Sequence, residues 1–311
     1  MRSRAAGLAL PAALAAALLA AAAAPAAPAA AQQVGPADAR GWSRRSVSGV
    51  AAVNGTRLWY EVQGRGPVVV LVHGGALDRR MWAPQWDALA REFTVVRYDV
   101  RGYGRSARPD GTPYASHEDL AALLAHLGVT RAAVVGLSLG GRIALDLALA
   151  HPGLVERLVV SGAAISGFPA DAAAFAWYAP LKAAGRHRDS LAVAEAWLGS
   201  DYLAHAMRER RTAATVRRLT LANAGMFTDT LNVERVLAPP AVERLESIAA
   251  PTLVIIGLDD NPAIRRMADT LVARVPGARR AELPGTGHLP NLERPAEFTH
   301  VLRSFLRETQ P

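Results

Sequence analysis

The chain has 311 residues, enough for one large α/β domain carrying an insertion, and its 51% apolar and 20% charged residues are an ordinary globular balance. It contains no cysteine, which excludes disulfide bonds, thiol catalysis and cysteine-based metal sites. The formal net charge is +8, but the arginines are scattered along the chain, so we expect a solvated basic surface and no nucleic-acid partner.

Residues 1–31 are predicted to be a secretory signal peptide. Arg2 and Arg4 provide a positively charged start, and residues 8–24 are rich in alanine and leucine. Small residues at 29–31 form a cleavage site, so we expect an exported protein, periplasmic or secreted, with no stable membrane span in the mature chain. The alternative is an uncleaved N-terminal membrane anchor, against which three prolines and the weak hydrophobicity of alanine argue.

The first half of the remaining chain alternates predicted strands and helices. Asn54 and Gly55 join the segments 47–53 and 56–62, which predicts a β-hairpin. The continuous apolar run at 68–72 is typical of a strand buried on both faces of a parallel sheet. The elements predicted up to residue 137 are then a helix at 81–91, a strand at 93–98, a helix at 116–127 and a strand at 132–137.

The alternation continues with a helix up to His151 and a strand at 158–161. After a long interval it resumes with a strand at 252–257, a helix at 263–275, a strand at 279–283 and a helix at 295–306. This pattern predicts an α/β fold with a doubly wound, mostly parallel sheet.

Residues 163–247 interrupt the alternation with helical patterns. We interpret them as a helical cap inserted into a core formed by residues 32–162 and 248–311. Aromatic residues are frequent in the interval, and most of them are expected to pack the small core of the cap. Trp177 and Phe227 in the cap, and Trp82 outside it, are the candidates for substrate binding; for Trp82 a place in the protein core is an equal alternative.

The motif Gly-Leu-Ser-Leu-Gly at 136–140 follows an apolar strand and precedes a helical pattern. A serine hydroxyl becomes a useful nucleophile when it is lifted away from its neighbours and placed beside a base. A sharp strand-to-helix turn places Ser138 in this way, and glycine on either side leaves room for the turn. The N–H of Leu139, at the start of the helix, is expected to donate to a developing oxyanion.

Two later loops supply a carboxylate and an imidazole. Asp259 and Asp260 follow the predicted strand at 252–257, and His288 follows the last predicted strand in a glycine-rich loop. Active sites of open α/β sheets lie at such strand ends. We favour Asp260 as the partner of His288, with Asp259 facing solvent or capping a turn. Ser138, Asp260 and His288 then form the predicted triad.

The stabilisation of an oxyanion requires a second N–H group beside that of Leu139. The run His-Gly-Gly-Ala at 73–76 directly follows the strand at 68–72, so its backbone is expected to lie at the same height above the sheet as Ser138. A glycine in this run allows the backbone to approach the substrate carbonyl closely. We assign this donor to Gly75, with Ala76 as the alternative. His73 is predicted to be a structural residue that bonds the loop backbone.

Five motifs in order carry a resemblance to a known family. They are His-Gly-Gly at 73–75, Tyr-Asp-Val-Arg-Gly-Tyr-Gly-Arg-Ser at 98–106, Gly-Leu-Ser-Leu-Gly-Gly at 136–141, Gly-Leu-Asp-Asp at 257–260 and Gly-Thr-Gly-His at 285–288. Between about residues 50 and 306, the chain resembles α/β-hydrolases of the serine esterase and lactonase type. The resemblance implies hydrolysis of a small carboxylic ester or lactone through an acyl-enzyme, without metal or cofactor, and a structural role for Asp99.

The elbow motif is similar to that of 3-oxoadipate enol-lactonases, and the predicted cap is rich in arginine. One of these arginines is a candidate partner for a substrate carboxylate, the alternative being a solvated helix face. They are Arg186, Arg188, Arg208, Arg210, Arg211, Arg217 and Arg218. Other functions that use the same triad stay open, namely cofactor-free perhydrolysis with haloperoxidase activity and carbon–carbon bond hydrolysis. A non-catalytic, capped ligand-binding receptor is the alternative outside enzymes.

Overall fold

A computed structural model describes residues 46–169 and 176–308. The predicted signal peptide at 1–31 lies outside these residues. Eight strands form one sheet in the order β1-β2-β4-β3-β5-β6-β7-β8. The strands are β1 (Val47–Val53), β2 (Thr56–Gln63), β3 (Val68–Val72), β4 (Thr94–Tyr98), β5 (Ala132–Leu137), β6 (Val155–Ser161), β7 (Thr252–Gly257) and β8 (Arg279–Leu283).

The sheet is mostly parallel, as the sequence predicts. The hairpin β1–β2 and the pair β2–β4 are antiparallel, whereas every pairing from β4 through β8 is parallel. Asn54 and Gly55 both have positive φ, 45° and 69°, which is the backbone of a tight hairpin turn. Because β3 and β5 to β8 are parallel, their carboxyl ends lie at the same edge of the sheet.

Nine α-helices accompany the sheet in the described residues. They are α1 (Ala83–Leu89), α2 (Ser116–His126), α3 (Leu139–Ala150), α4 (Ala179–Ala183), α5 (Ser190–Leu198), α6 (Arg210–Ala222), α7 (Pro262–Arg274), α8 (Pro290–Glu293) and α9 (Pro295–Leu306). None of the helices in residues 46–169 and 176–308 combines the length and the hydrophobicity needed to cross a membrane.

Two elements differ from the sequence prediction by more than one residue at a boundary. The helix expected at 81–91 begins as a 3₁₀ turn, Arg79–Trp82, because the Asp78 carboxylate accepts from the Arg80 N–H, and α1 follows only at Ala83. Strand β6 begins at Val155 instead of residue 158. Glu156 and Arg157 interrupt the apolar pattern, so the sequence does not indicate that this segment pairs with β5.

The two faces of the sheet are both buried. Along β3, Val70 and Val72 belong to one apolar cluster, while Val69 and Leu71 belong to the other. A strand that is covered on both faces has no solvent-facing side, so its sequence does not alternate between apolar and polar residues. This explains why the sequences of β3 and β5 are continuous apolar runs. The central strands are therefore packed on both faces, and the loops at their carboxyl ends begin from a firmly held sheet.

Helices α4, α5 and α6 lie in the chain between β6 and β7, so a helical segment is inserted into the α/β core. Hydrogen bonds tie this insertion to core loops. Asn223, at the end of α6, donates to the Asp78 carboxylate at 3.1 Å and accepts from the Gly104 N–H at 2.8 Å. Thr212 on α6 donates to the carbonyl of Leu292 at 3.4 Å.

The turn from β5 into α3 depends on main chains in close contact. A Cβ at Gly136 would lie 2.1 Å from the Gly140 carbonyl oxygen, and one at Gly140 would lie 2.2 Å from the Val72 carbonyl oxygen. Both contacts involve backbone, which moves only if the turn itself opens. Glycine is therefore a steric requirement at both positions.

Gly136→Ala is expected to lower the free energy of unfolding by about 3 kcal/mol or more, because the added methyl group overlaps backbone. Gly153→Ala is the matched control, since at that position no described atom lies within 4 Å of the new methyl group. Urea denaturation of both variants measures the difference. Equal midpoints would contradict the steric argument.

Candidate active site

Ser138 occupies the sharp turn between β5 and α3. Its φ is 54° and its ψ is −113°, a conformation that side-chain-bearing residues rarely adopt. Three backbone bonds hold it: its N–H donates to Ser161 O at 2.9 Å, and its carbonyl accepts from Arg142 N at 3.1 Å and Ala164 N at 3.3 Å. Such strain persists only where the surroundings over-determine it, and it is common at functional sites.

His288 and Asp260 form a buried pair at the ends of neighbouring strands. The imidazole Nδ1 lies 3.0 Å from Asp260 Oδ2 and 3.1 Å from Oδ1, and both side chains are almost fully buried. Burial by itself lowers the pKa of His288. The charge of Asp260, its hydrogen bond and the charge of Glu293 outweigh that effect, so the pKa of His288 lies above its ordinary value.

The neighbouring carboxylate, Asp259, points elsewhere. Its side chain is half exposed, and its Oδ2 lies 3.6 Å from Nε2 of His205 on the helical insertion. The geometry therefore pairs His288 with Asp260, the residue that the sequence favours.

The loop after β3 faces the turn that carries Ser138. A Cβ on Gly74 would lie 3.6 Å from the Cβ of Ser138, and one on Gly75 would lie 3.8 Å from the Cβ of Leu139. Leu139 is the first residue of α3, so its N–H has no acceptor within the helix. Gly74 and Gly75 therefore lie close to the side chains of Ser138 and Leu139.

Other contacts in this loop have structural effects. His73 bonds the Gly74 carbonyl through Nδ1 at 2.8 Å and accepts from Val100 N–H through Nε2 at 2.9 Å, so both ring nitrogens are engaged by backbone. Burial raises the pKa of Tyr103 to about 12, although its hydrogen bond with the Ala76 backbone acts in the opposite direction.

Ser138 and His288 line one small cavity with a volume of about 10 Å³. Besides these two, its lining consists of glycine and apolar residues from the core and the insertion. They are Gly74, Gly75, Leu77, Leu137, Trp197, Leu203 and Leu289. Tyr202, also on the insertion, packs edge-on against the His288 ring with the ring centres 5.4 Å apart.

None of the three aromatic residues predicted to bind substrate lines the cavity beside Ser138. Trp82 is fully buried in the core beside Phe298, the alternative that the sequence left open for it. Trp177 packs against Trp197, one layer further from Ser138, and Phe227 ends a 3₁₀ turn outside the cavity lining. Trp197 lines the cavity in their place.

Glu293 has a role that sequence reasoning missed. Its Oε2 accepts from the Gly287 N–H at 2.6 Å and its Oε1 from the Leu289 N–H at 2.9 Å, so it holds the residues on both sides of His288. It also bonds His205 of the insertion at 2.6 Å. The available signal was a carboxylate five residues after His288, within reach of its loop.

The sequence profile described as "Alpha/beta hydrolase family" matches residues 69–301. The chain belongs to the alpha/beta hydrolase family. The enol-lactonase from Burkholderia xenovorans LB400 is similar to this hydrolase in structure, with a TM-score of 0.71 and 32% identity, covering 83% of this chain and 100% of that chain.

Two further relatives are similar over most of their length. The putative carbamate hydrolase RutD of Caulobacter sp. (strain K31) is 32% identical over 265 residues, which cover 80% of this hydrolase and 95% of the relative. The thermophilic esterase from Thermogutta terrifontis, solved with malate bound, has a TM-score of 0.70 and 26% identity, covering 85% and 98% of the two chains.

The pKa of His288 is expected to lie above 6.5 and to fall in Asp260→Asn, because the buried ring then loses its nearest negative charge. NMR titration of the histidine ring measures both values. Asp259→Asn is the control, since that half-exposed carboxylate contacts His205 instead, and it should leave the titration nearly unchanged. A larger shift in the control than in Asp260→Asn would contradict the assigned pair.

Proposed function

We propose that this alpha/beta hydrolase cleaves carboxylic esters or lactones of small molecules, with Ser138 as nucleophile, His288 as base and Asp260 as the partner of His288. One observation carries the proposal: a strained serine shares a cavity with a buried histidine that is bonded to a buried carboxylate. The enol-lactonase at 32% identity supports the substrate class.

In the first step, Ser138 Oγ attacks the carbonyl carbon while His288 Nε2 accepts the hydroxyl proton. Asp260 bonds Nδ1, which keeps the proton-accepting nitrogen directed towards the cavity and stabilises the imidazolium. The bond from the carbonyl carbon to the alcohol oxygen then breaks, and His288 returns the proton to that oxygen. The acyl group stays attached to Ser138.

The negative charge that develops on the carbonyl oxygen is stabilised by the N–H groups of Gly75 and Leu139. Both are backbone groups of residues close to Ser138, and backbone donors of this kind need little rearrangement during the reaction. Removal of one such donor typically costs about 3 kcal/mol of transition-state stabilisation.

Water completes the cycle. His288 takes a proton from a water molecule, whose oxygen attacks the acyl carbon, and the Ser138–acyl bond breaks with return of the proton to Oγ. The neutral imidazole is the active base in both steps. Because the pKa of His288 is raised, activity falls as the pH decreases through that raised value.

Ser138→Ala is expected to reduce kcat for p-nitrophenyl acetate by about 10⁴-fold or more, because the acyl-enzyme can no longer form. Ser304→Ala, at an exposed position on α9, is the control and should retain full activity. A fluorophosphonate probe followed by mass spectrometry should label the control protein but not Ser138→Ala. Ester turnover above a few per cent in Ser138→Ala would refute Ser138 as nucleophile.

We also propose export of the protein through residues 1–31, on the basis of the charged start, the apolar segment and the small residues at 29–31. Expression of the full chain in a Gram-negative host should release a soluble product that starts at Gln32, identified by mass spectrometry. Ala31→Arg should remain unprocessed, because the cleavage site requires small residues. Full-length wild-type protein in the washed membrane fraction would instead indicate an anchor.

A further inference from the structure

We infer that His205, on the helical insertion, is a positioning residue for His288 and acts on it through the buried carboxylate of Glu293. The inference rests on the proposed function, because it concerns the base that activates Ser138. It follows from three observations: the bonds that Glu293 accepts, the two carboxylates that face His205, and the close packing of the insertion against the loop that carries His288.

Glu293 is a carboxylate that the fold shields almost completely from solvent. Its side chain is 4% exposed, and burial of a charged group is unfavourable unless hydrogen bonds or an opposite charge compensate it. Its two oxygens accept from the N–H groups of Leu289 and Gly287, on either side of His288. In the part of the chain that the structure describes, His205 has the only basic side chain within 4 Å of this carboxylate. His205 therefore completes the environment that holds Glu293 in place.

Each ring nitrogen of His205 faces a carboxylate from the core. Nδ1 lies 2.6 Å from Glu293 Oε2, and since an ionised carboxylate only accepts, the imidazole donates in this bond. Nε2 lies 3.6 Å from Oδ2 of Asp259, the chain neighbour of Asp260. One side chain of the insertion thus contacts both the residue that bonds the His288 loop and the residue next to Asp260.

The insertion packs directly on the backbone of the loop that carries His288. A Cβ at Gly287 would lie 2.6 Å from the Cβ of His205, so not even a methyl group fits between the two segments. Close-packed segments transmit displacements, so a shift of the insertion here moves the loop. Tyr202, three residues before His205, packs edge-on against the His288 ring. The imidazole is therefore supported by one short segment of the insertion, both directly and through Glu293.

The position of His288 is demanding because its two nitrogens have different partners. Nδ1 bonds Asp260 at 3.0 Å, and the mechanism requires Nε2 to reach the hydroxyl of Ser138. A displacement of about 1 Å in such a group is enough to reduce a reaction rate about 100-fold. Loss of one of the three bonds to Glu293 loosens the loop but removes no catalytic group, so we expect a smaller reduction.

The first test is His205→Ala, assayed with p-nitrophenyl acetate. We expect kcat and kcat/KM to fall equally, by about 10-fold, because the ring positions the base but does not line the cavity beside Ser138. His300→Ala, at an exposed position on α9, is the control for the loss of a histidine and should keep full activity.

A pair of conservative variants separates the two ring nitrogens. His205→Asn keeps an amide near the position of Nδ1, beside Glu293, and should recover most of kcat. His205→Gln is its matched control, because its amide lies nearer the position of Nε2, beside Asp259, and should recover little. This pair still tests the inference if His205→Ala fails to fold.

The second test is a double-mutant cycle with Glu293→Gln, which removes the charge with little change of shape. Because His205 acts through Glu293, we expect His205→Ala to cost about 10-fold in the wild-type background and less than about 2-fold in Glu293→Gln. Equal losses in the two backgrounds would overturn the route through Glu293.

A third measurement does not depend on turnover. Hydrogen exchange of the Gly287 and Leu289 amides, followed by NMR, should be at least about 10-fold faster in His205→Ala than in the wild-type protein, because the shared acceptor of these amides is held less firmly. Urea denaturation of the same samples establishes that the variant is folded.

The outcomes separate the two proposals. Unchanged kcat in well-folded His205→Ala, or equal activities of His205→Asn and His205→Gln, would overturn the inference and leave ester hydrolysis standing. Absence of turnover by the wild-type protein with every ester and with a panel of lactones would instead overturn the proposed function. In that case, unchanged amide exchange in His205→Ala would overturn the positioning role as well.

Discussion

The structure around the site depends on a close contact between main chains at the carboxyl edge of the sheet. Helix α3 starts so near β3 and β5 that even a methyl group at Gly136 or Gly140 would overlap a carbonyl oxygen. Ser138, in the turn that joins β5 to α3, has a strained backbone conformation with a φ of 54°. Strain of this kind costs about 1–3 kcal/mol, and the apolar packing on both faces of the central strands holds the turn in place.

Electrostatic effects at His288 oppose one another. Burial of the ring disfavours its protonated form, whereas Asp260 and Glu293 favour it more strongly. Glu293 also fixes the loop mechanically, because it accepts from the amides on both sides of His288 and from His205. The same carboxylate therefore orients the imidazole and fastens the helical insertion beside it.

The insertion directs apolar side chains towards the site and charged side chains towards solvent. Trp197 and Leu203 face the cavity, whereas seven arginines of the insertion, at 186, 188, 208, 210, 211, 217 and 218, are exposed to solvent. The amphipathic helices thus pack one face onto the site and leave the charged face outside. As a result, a cap that is rich in basic residues covers an apolar cavity.

The sequence by itself determined the alternation of strands and helices, the turn at Ser138 and the association of His288 with strand-end carboxylates. These depend on local patterns and on the rule that parallel strands end at one edge. Only the tertiary structure shows which of Asp259 and Asp260 contacts His288. Neighbouring residues direct their side chains to different sides, so a difference of one position changes the contact. The tertiary structure likewise placed Trp82 in the core and Trp197 at the cavity, since the rotation of a helix about its axis depends on the surfaces against which it packs.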